Sequence, residues 1–193
     1  LQEDAPGARQ ELEQTLEKVT QQAERAAEII RRIRGFVRKE PPRLEHHAVL
    51  NLLQHALAVV DDDIQEANIA VNVEEHDLDT RVCVDEIFIE QVMVNLLRNA
   101  IESIQSTDRD SGEVVIRIIQ PGPDWVELSF SDSGGGLGGD DPEQWFMPFA
   151  TSRRGSMGLG LSLSRSLVEA HGGHLWAEPS AAGGATVRFT LPT

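Results

Sequence analysis

The stretch "SDSGGGLGG", residues 131–139, places five glycines in six consecutive positions. Each glycine costs about 0.5–1 kcal/mol relative to alanine in a regular element, so the backbone here must turn sharply or lie close to another group. The spacing of Gly134, Gly136 and Gly139 matches the dinucleotide-binding fingerprint, but that loop opens directly into a helix within a βαβ unit. Here "DDPEQW" follows, and the flanking strands are predicted to be antiparallel. A phosphate loop of the Gly-Lys-Ser/Thr type is also absent, so neither of these two folds is predicted.

Alternation of apolar and polar residues around this stretch predicts an α+β domain. Strands are predicted at 113–119 and 124–131, and the residues between them read "QPGP", which predicts a β-hairpin. A long amphipathic helix is predicted over 85–104, opened by Asp85. Further helices are predicted at 48–60 and 158–173, and further strands at 69–75, 80–84, 174–179 and 185–192.

A separate element is predicted at the start of the chain. Apolar residues recur at alternating spacings of four and three, which is the heptad pattern of a helix that packs on a partner helix. They are Leu12, Leu16, Val19, Ala23, Ala26, Ile30, Ile33 and Val37. A core helix of a globular bundle is the alternative. Pro41 and Pro42 end the pattern, which predicts a helix over 1–40, a linker over 41–47 and a second domain over 48–193.

The composition excludes several classes of protein. Acidic residues outnumber basic residues 32 to 17 in the 193 residues, a formal charge of −15, which argues against nucleic acid or anionic membranes as partners. Cys83 is the single cysteine, which excludes an internal disulfide and favours the reducing cytoplasm. No apolar run reaches the length of a membrane span and no signal-peptide pattern opens the chain. A first residue other than Met is typical of a piece of a longer protein.

The glycine-rich stretch has the features of a ligand-binding loop. Asp132 ends an apolar strand, where a carboxylate can accept a hydrogen bond from an exocyclic amine such as adenine N6. The loop 133–157 is longer than most structureless loops and contains the apolar cluster "WFMPF", which favours a lid. It ends in glycines that lead into a helix N-terminus, where backbone N–H groups bind phosphates. A flexible surface turn is the alternative.

Two asparagines lie on the predicted helix 85–104. Asn95 and Asn99 are four residues apart at the edge of its apolar arc, so both need polar partners. Amide oxygens suit Mg²⁺, which prefers oxygen ligands and keeps phosphate and water in its shell. Hydrogen bonds to neighbouring backbone are the alternative.

These motifs together resemble the sensor histidine kinases of the gyrase, heat-shock-chaperone, histidine-kinase and MutL ATP-binding superfamily. "EQVMVNLLRNAIES" is similar to the N box, "DSGGGL" to the first glycine box, "WFMPFATSRRG" to the F box and "GLGLSLSRSLVEAHGG" to the second glycine box. The four motifs fall in the family's order. The resemblance implies a two-layer α/β sandwich with a mixed sheet, a Bergerat-type ATP-binding fold, with helices on one face and ATP between the helices and the lid.

The resemblance also implies roles for individual residues. Asn99 and Asn95 match the Mg²⁺-binding asparagines, and Arg98 matches a position that reaches phosphate, so these three are the expected catalytic group. Asp132 matches the aspartate that reads adenine N6. The other expected ATP-binding positions are Gly134 and Gly136 beside the base, Phe146 and Phe149 of the lid, and Gly158, Leu159 and Gly160 under the phosphates.

The resemblance implies partners that the domain itself does not contain. "AERAAEIIRRIRGFVRK" is similar to the second helix of the dimerisation and histidine-phosphotransfer hairpin, so the full-length protein is expected to be a homodimer that passes its phosphoryl group to a response regulator. The family's acceptor histidine lies on the first hairpin helix. None of the six histidines has that context, and His46, His47, His55, His76, His171 and His174 are predicted to be surface or helix-terminal residues.

Two other functions remain open from sequence. An ATPase of the gyrase or chaperone branch would need a water-activating glutamate one turn before the metal asparagine, where this chain has Asn95. A nucleotide-binding regulatory module of a degenerate kinase is the other, because the acceptor histidine is missing.

Overall fold

The computed structural model describes residues 42–75, 80–107, 109–136, 142–147, 158–180 and 183–193, all of which belong to one unit, Glu40–Thr193. The predicted heptad helix therefore lies outside the described residues. The elements are β1 (Glu45–Ala48), α1 (Val49–Val59), α2 (Asp61–Glu66), β2 (Ile69–Glu75), β3 (Arg81–Val84), α3 (Glu86–Gln105), β4 (Gly112–Gly122), β5 (Trp125–Asp132), the 3-10 turn Pro142–Phe146, α4 (Gly160–Ala170), β6 (Leu175–Pro179) and β7 (Ala185–Pro192).

Five strands form the main sheet in the order β2-β4-β5-β7-β6. β2 runs parallel to β4, and the other neighbours are antiparallel, so the predicted mixed sheet is confirmed. The predicted hairpin is β4–β5, with Gly122 opposite Trp125 at its turn.

Strand periodicity explains the two layers. In β4, Val114, Ile116 and Ile118 are buried, whereas Glu113 before them and Arg117 between the two isoleucines are exposed. The buried side packs into one core with apolar residues of the helices, including Leu53 of α1, Met93 of α3, and Leu167 of α4. Among the described residues, no helix is both long enough and apolar enough to cross a bilayer.

The polar side of the sheet carries ion pairs across strands. Arg188 of β7 donates hydrogen bonds to Glu178 of β6 at 2.7 Å and to Glu127 of β5 at 2.8 Å. Partial burial opposes the charge on the guanidinium, but the two carboxylates outweigh it and raise the pKa of Arg188. The polar residues of this face therefore link three neighbouring strands.

The structure differs from the predicted linker in one place. β1 pairs antiparallel with β3, with Glu45 opposite Val84 and Ala48 opposite Arg81, so residues 45–47 belong to a strand and not to a linker. The partner strand lies more than 30 residues away in sequence, which is why the local pattern around the two prolines gave no sign of it. The division of the chain into domains otherwise stays a prediction.

Candidate functional site

Three polar residues form a line along α3. Asn95, Asn99 and Ser103 are each four residues apart, so they lie on nearly the same side of the helix over about 12 Å. Leu96, on the neighbouring side, belongs to the buried core. The line therefore follows the border of the core, as predicted for the two asparagines.

Asn95 joins α3 to the first turns of α4. Its Nδ2 donates to Oγ of Ser164 at 3.0 Å, and Ser164 is buried. Its Oδ1 lies against Gly160, where any Cβ would overlap that oxygen. Glycine at 160 thus lets the N-terminus of α4 approach the amide oxygen of Asn95 directly.

Asn99 and Ser103 carry polar atoms that the fold leaves unpaired. Nδ2 of Asn99 and Oγ of Ser103 are buried and have no hydrogen-bond partner within the part of the chain that the structure describes. A buried polar atom without a partner costs about 1–3 kcal/mol. Such atoms are found where a ligand or a water completes the hydrogen bonding.

Asp132, the last residue of β5, is only 6% exposed. Its Oδ1 accepts a hydrogen bond from the backbone N–H of Gly134 at 2.8 Å, which fixes the carboxylate at the start of the glycine turn. Gly184 packs so closely on Asp132 that a Cβ there would overlap its atoms. The carboxylate is therefore held in place by glycine backbone on two sides.

The first glycine turn packs on the same line of α3. A Cβ on Gly134 would overlap Ser103, and Gly135 N–H donates to the Ser103 carbonyl at 3.4 Å. Because Ser103 lies one helical turn after Asn99, the turn that follows Asp132 packs on α3 one helical turn from that asparagine. Gly136 has a φ of +73°, which explains a glycine at that position.

The second glycine box forms the start of α4. Gly158 has a φ of +63°, Leu159 occupies the N-cap position and Gly160 is the first helical residue. Leucine has no side-chain acceptor for the N–H groups of the first turn. These donors, together with the positive end of the helix dipole, suit an anionic ligand.

The structure describes two of the remaining predicted residues, Arg98 and Phe146. The guanidinium of Arg98 is 3.7 Å from the carboxylate of Asp63 on α2. Phe146 is 5% exposed and lies under the guanidinium of Arg165, 3.8 Å from the ring centroid. Phe149 lies outside the described residues.

The family comparison identifies the kind of protein. Residues 84–193 match the family described as histidine kinase-, DNA gyrase B- and HSP90-like ATPase. The chain belongs to this family. The catalytic domain of the histidine kinase ThkA, in a nucleotide-free form, superposes with a TM-score of 0.70 at 28% identity, covering 78% of this chain and 95% of that chain. The fold and family predicted from sequence are thus confirmed.

Relatives of this histidine kinase-like chain include sensor proteins. FixL of Bradyrhizobium diazoefficiens is 38% identical over 94% of this chain and 35% of its own length. The C4-dicarboxylate transport sensor protein DctS of Rhodobacter capsulatus is 34% identical over 94% of this chain and 27% of its own length. The chain therefore spans about a third of these relatives. ThkA in complex with the response regulator protein TrrA matches with a TM-score of 0.75 at 25% identity, over the whole of this chain and 53% of that chain.

Sequence reasoning on this ATPase-family chain missed Ser103, Ser164 and Gly184. Ser103 continues the spacing of the two asparagines by another four residues, a signal that was available in the helix pattern. The other two contact Asn95 and Asp132 from 69 and 52 residues away, so no local pattern marks them.

His171 lies at a helix end, as predicted, and it is also buried. It follows the last residue of α4, as expected, but it is only 5% exposed. Its Nε2 accepts from the backbone N–H of Asp85 at 3.1 Å, and its Nδ1 lies 2.7 Å from the Leu167 carbonyl. This arrangement fits a ring protonated at Nδ1 that ties the end of α4 to the start of α3.

Proposed function

We propose that this chain is the catalytic domain of a two-component sensor histidine kinase. In this proposal it binds Mg²⁺-ATP and transfers the γ-phosphoryl group of the ATP to a histidine. The observation that carries the proposal is the contact between Gly134 and Ser103. Gly134 follows Asp132 by two residues and Ser103 follows Asn99 by one helical turn, so the contact supports a site in which one nucleotide meets both Asp132 and Asn99.

The residues around this contact have separate roles in the proposal. Asp132 accepts a hydrogen bond from the adenine 6-amino group, and Gly134 and Gly136 leave room for the base. The N–H groups at Gly158, Leu159 and Gly160 bind the phosphates. Arg98, Phe146 and Phe149 complete the set. Arg98 lies beside Asp63 of α2, so in this proposal its side chain leaves Asp63 to reach a phosphate.

The donor set at α3 fits Mg²⁺. Among the described residues there is no cluster of three or more histidine, cysteine or acidic side chains that could hold a metal ion. The amide oxygens of Asn99 and Asn95 would hold it, and the unpaired Nδ2 of Asn99 supports a ligand close to this amide. When bound, the ion neutralises phosphate charge in a protein whose formal charge is −15.

The chemistry of the transfer depends on position and charge. The site holds the nucleotide so that a histidine nitrogen attacks the γ-phosphorus in line with the leaving oxygen of ADP. The acceptor is a histidine of the dimerisation hairpin, in a homodimer of the full-length protein. A response regulator then takes the phosphoryl group on an aspartate, which the solved complex of ThkA with TrrA supports. The use of ATP and the single cysteine support a cytoplasmic site of action.

An ATPase of the gyrase or chaperone branch has less support. The position of its water-activating glutamate holds Asn95, whose amide is neutral and donates to Ser164. Glu90, the nearest preceding glutamate on α3, instead accepts a hydrogen bond from Nδ1 of the exposed His55 at 2.6 Å. Along α3, therefore, no glutamate lies one helical turn before Asn99.

Calorimetric titration with Mg²⁺-ATP tests the proposal. We expect saturable binding that Asp132→Asn weakens about 10- to 100-fold, the effect of losing a hydrogen bond to a charged group. The asparagine keeps an oxygen that can accept from Gly134, so the turn is preserved. It also offers an N–H₂ donor, so the preference for ATP over GTP is expected to fall.

Asp124→Asn is the matched control, because it makes the same change of charge at the exposed turn before β5. We expect it to bind ATP like the parent. Absence of ATP binding by the parent, or an Asp132→Asn variant that binds and discriminates as the parent does, would reject the proposal.

A further inference from the structure

Arg165 of α4 holds the 3-10 turn Pro142–Phe146 at both of its ends. Its Nη1 and Nη2 donate to the two carboxylate oxygens of Glu143 at 2.7 and 3.0 Å. The same guanidinium lies over the ring of Phe146, 3.8 Å from the centroid. A cation over an aromatic face and a forked pair with a carboxylate are both attractive, and here one side chain makes both.

The guanidinium is itself fixed by the sheet. Its Nε and Nη2 lie 3.3 and 3.2 Å from the carbonyl oxygen of Leu175, the first residue of β6. Its side chain is 20% exposed. Arg165 therefore cannot move with the turn, and the turn is held against α4 and β6.

The electrostatics of Glu143 agree with this contact. The hydrogen bond from Arg165 lowers the pKa of Glu143, slight desolvation opposes that shift, and the charges of Arg165 and His174 add to it. Glu143 is an exposed residue, so this ion pair is open to water. The pairing is thus a property of the geometry and does not depend on burial of the acid.

The position of the turn in the sequence relates the Arg165 contacts to the proposed nucleotide site. It lies in the stretch that leads from Asp132 and Gly134 to Gly158 and Gly160, which the proposed function assigns to the base and to the phosphates. Arg165 follows Gly160 by five residues on the same helix. The Arg165 side chain therefore connects the turn Pro142–Phe146 to α4, whose N-terminus is the proposed phosphate site.

We propose that Arg165 is a positioning residue: it holds the turn Pro142–Phe146 against α4 and β6, so that nucleotide binding does not have to order that turn. The effect on ATP rests on the proposed function, whereas the hold on the turn does not. Lysine cannot replace it fully, because a single ammonium group cannot make the fork, the carbonyl contact and the stacking at once.

The first experiment compares Arg165→Ala with the parent 193-residue chain by hydrogen–deuterium exchange without nucleotide. We expect peptides covering 142–147 to exchange about tenfold faster, with α3 unchanged. Arg165→Lys should fall between the two. Arg117→Ala is the matched control, because it removes another arginine–glutamate pair, with Glu74, on the polar side of the sheet. It should leave 142–147 as in the parent.

The second experiment measures Mg²⁺-ATP affinity of the same variants. If Arg165→Ala makes the ordered turn a minor state populated at about a tenth, the dissociation constant rises about tenfold. Unchanged exchange of 142–147, equal acceleration across the whole domain, or loosened exchange with unchanged affinity would each overturn the inference. A parent chain that fails to bind ATP while the exchange result holds would reject the proposed function and leave the hold on the turn standing.

Discussion

Two buried serines of the site differ in their hydrogen bonding. Ser164 receives a hydrogen bond from Asn95, whereas Oγ of Ser103 has no partner among the described residues. Both side chains are almost inaccessible, at 2% and 4% exposure. Ser164 therefore supports the fold through its hydrogen bond, whereas the hydroxyl of Ser103 can still bond a ligand or a water.

Substitution of these serines with alanine should change stability in opposite directions. Ser103→Ala removes an unpaired hydroxyl and is expected to raise the free energy of unfolding by about 1 kcal/mol. Ser164→Ala leaves Nδ2 of Asn95 without a partner and should lower it by about 1 kcal/mol. Urea denaturation of both variants measures the difference. Equal destabilisation by the two changes would contradict the unpaired state of Ser103.

At the scale of elements, α4 has a different device at each end. Its start has no side-chain cap, and Gly160 lets the backbone there approach Asn95. Its end is closed by a Schellman motif, in which Gly172 N–H donates to the Glu169 carbonyl at 2.9 Å and Gly173 N–H to the Val168 carbonyl at 3.0 Å. One end therefore has no side-chain cap, while the other is satisfied by backbone hydrogen bonds.

The two glycines of that motif should respond differently to alanine. Gly172 has a φ of +79° and open space around it, so Gly172→Ala costs the left-handed conformation alone, about 1–2 kcal/mol. A Cβ on Gly173 would overlap the Thr190 carbonyl of β7, so Gly173→Ala should cost about 3 kcal/mol or more. Thermal and urea unfolding compare the two, and equal costs would refute the close packing of α4 on β7.

At the scale of the whole molecule, the heptad segment predicts association with a second copy. A helix with one apolar seam needs a partner helix, and a single helix from each chain fills such an interface poorly. We therefore expect weak self-association of the 193-residue chain at micromolar concentration.

Sedimentation equilibrium tests the seam. Ile30→Asp places a charge in the seam and should abolish the association, whereas Gln21→Asp makes the same change of charge off the seam and should not. A stable dimer that is insensitive to Ile30→Asp would show that other residues hold the copies together.

Local patterns predicted most of the regular structure. β2 was predicted at its observed residues, and α3 was predicted to within one residue at each end, because alternation and helical spacing are strong there. α2 was not predicted, since a six-residue helix with three aspartates shows no periodic apolar face. β1 was missed because its pairing partner is distant in sequence.

The sequence by itself determined the family, the order of the four motifs and the asparagines, aspartate and glycines proposed to bind the nucleotide, because these depend on residue type and short spacing. Only the tertiary structure decided that Ser103 meets Gly134, that His171 joins α4 to α3 and that Arg165 holds the turn Pro142–Phe146. Those contacts join residues from 19 to 86 positions apart. Their geometry depends on how helices pack on the sheet, and no local pattern of residues records it.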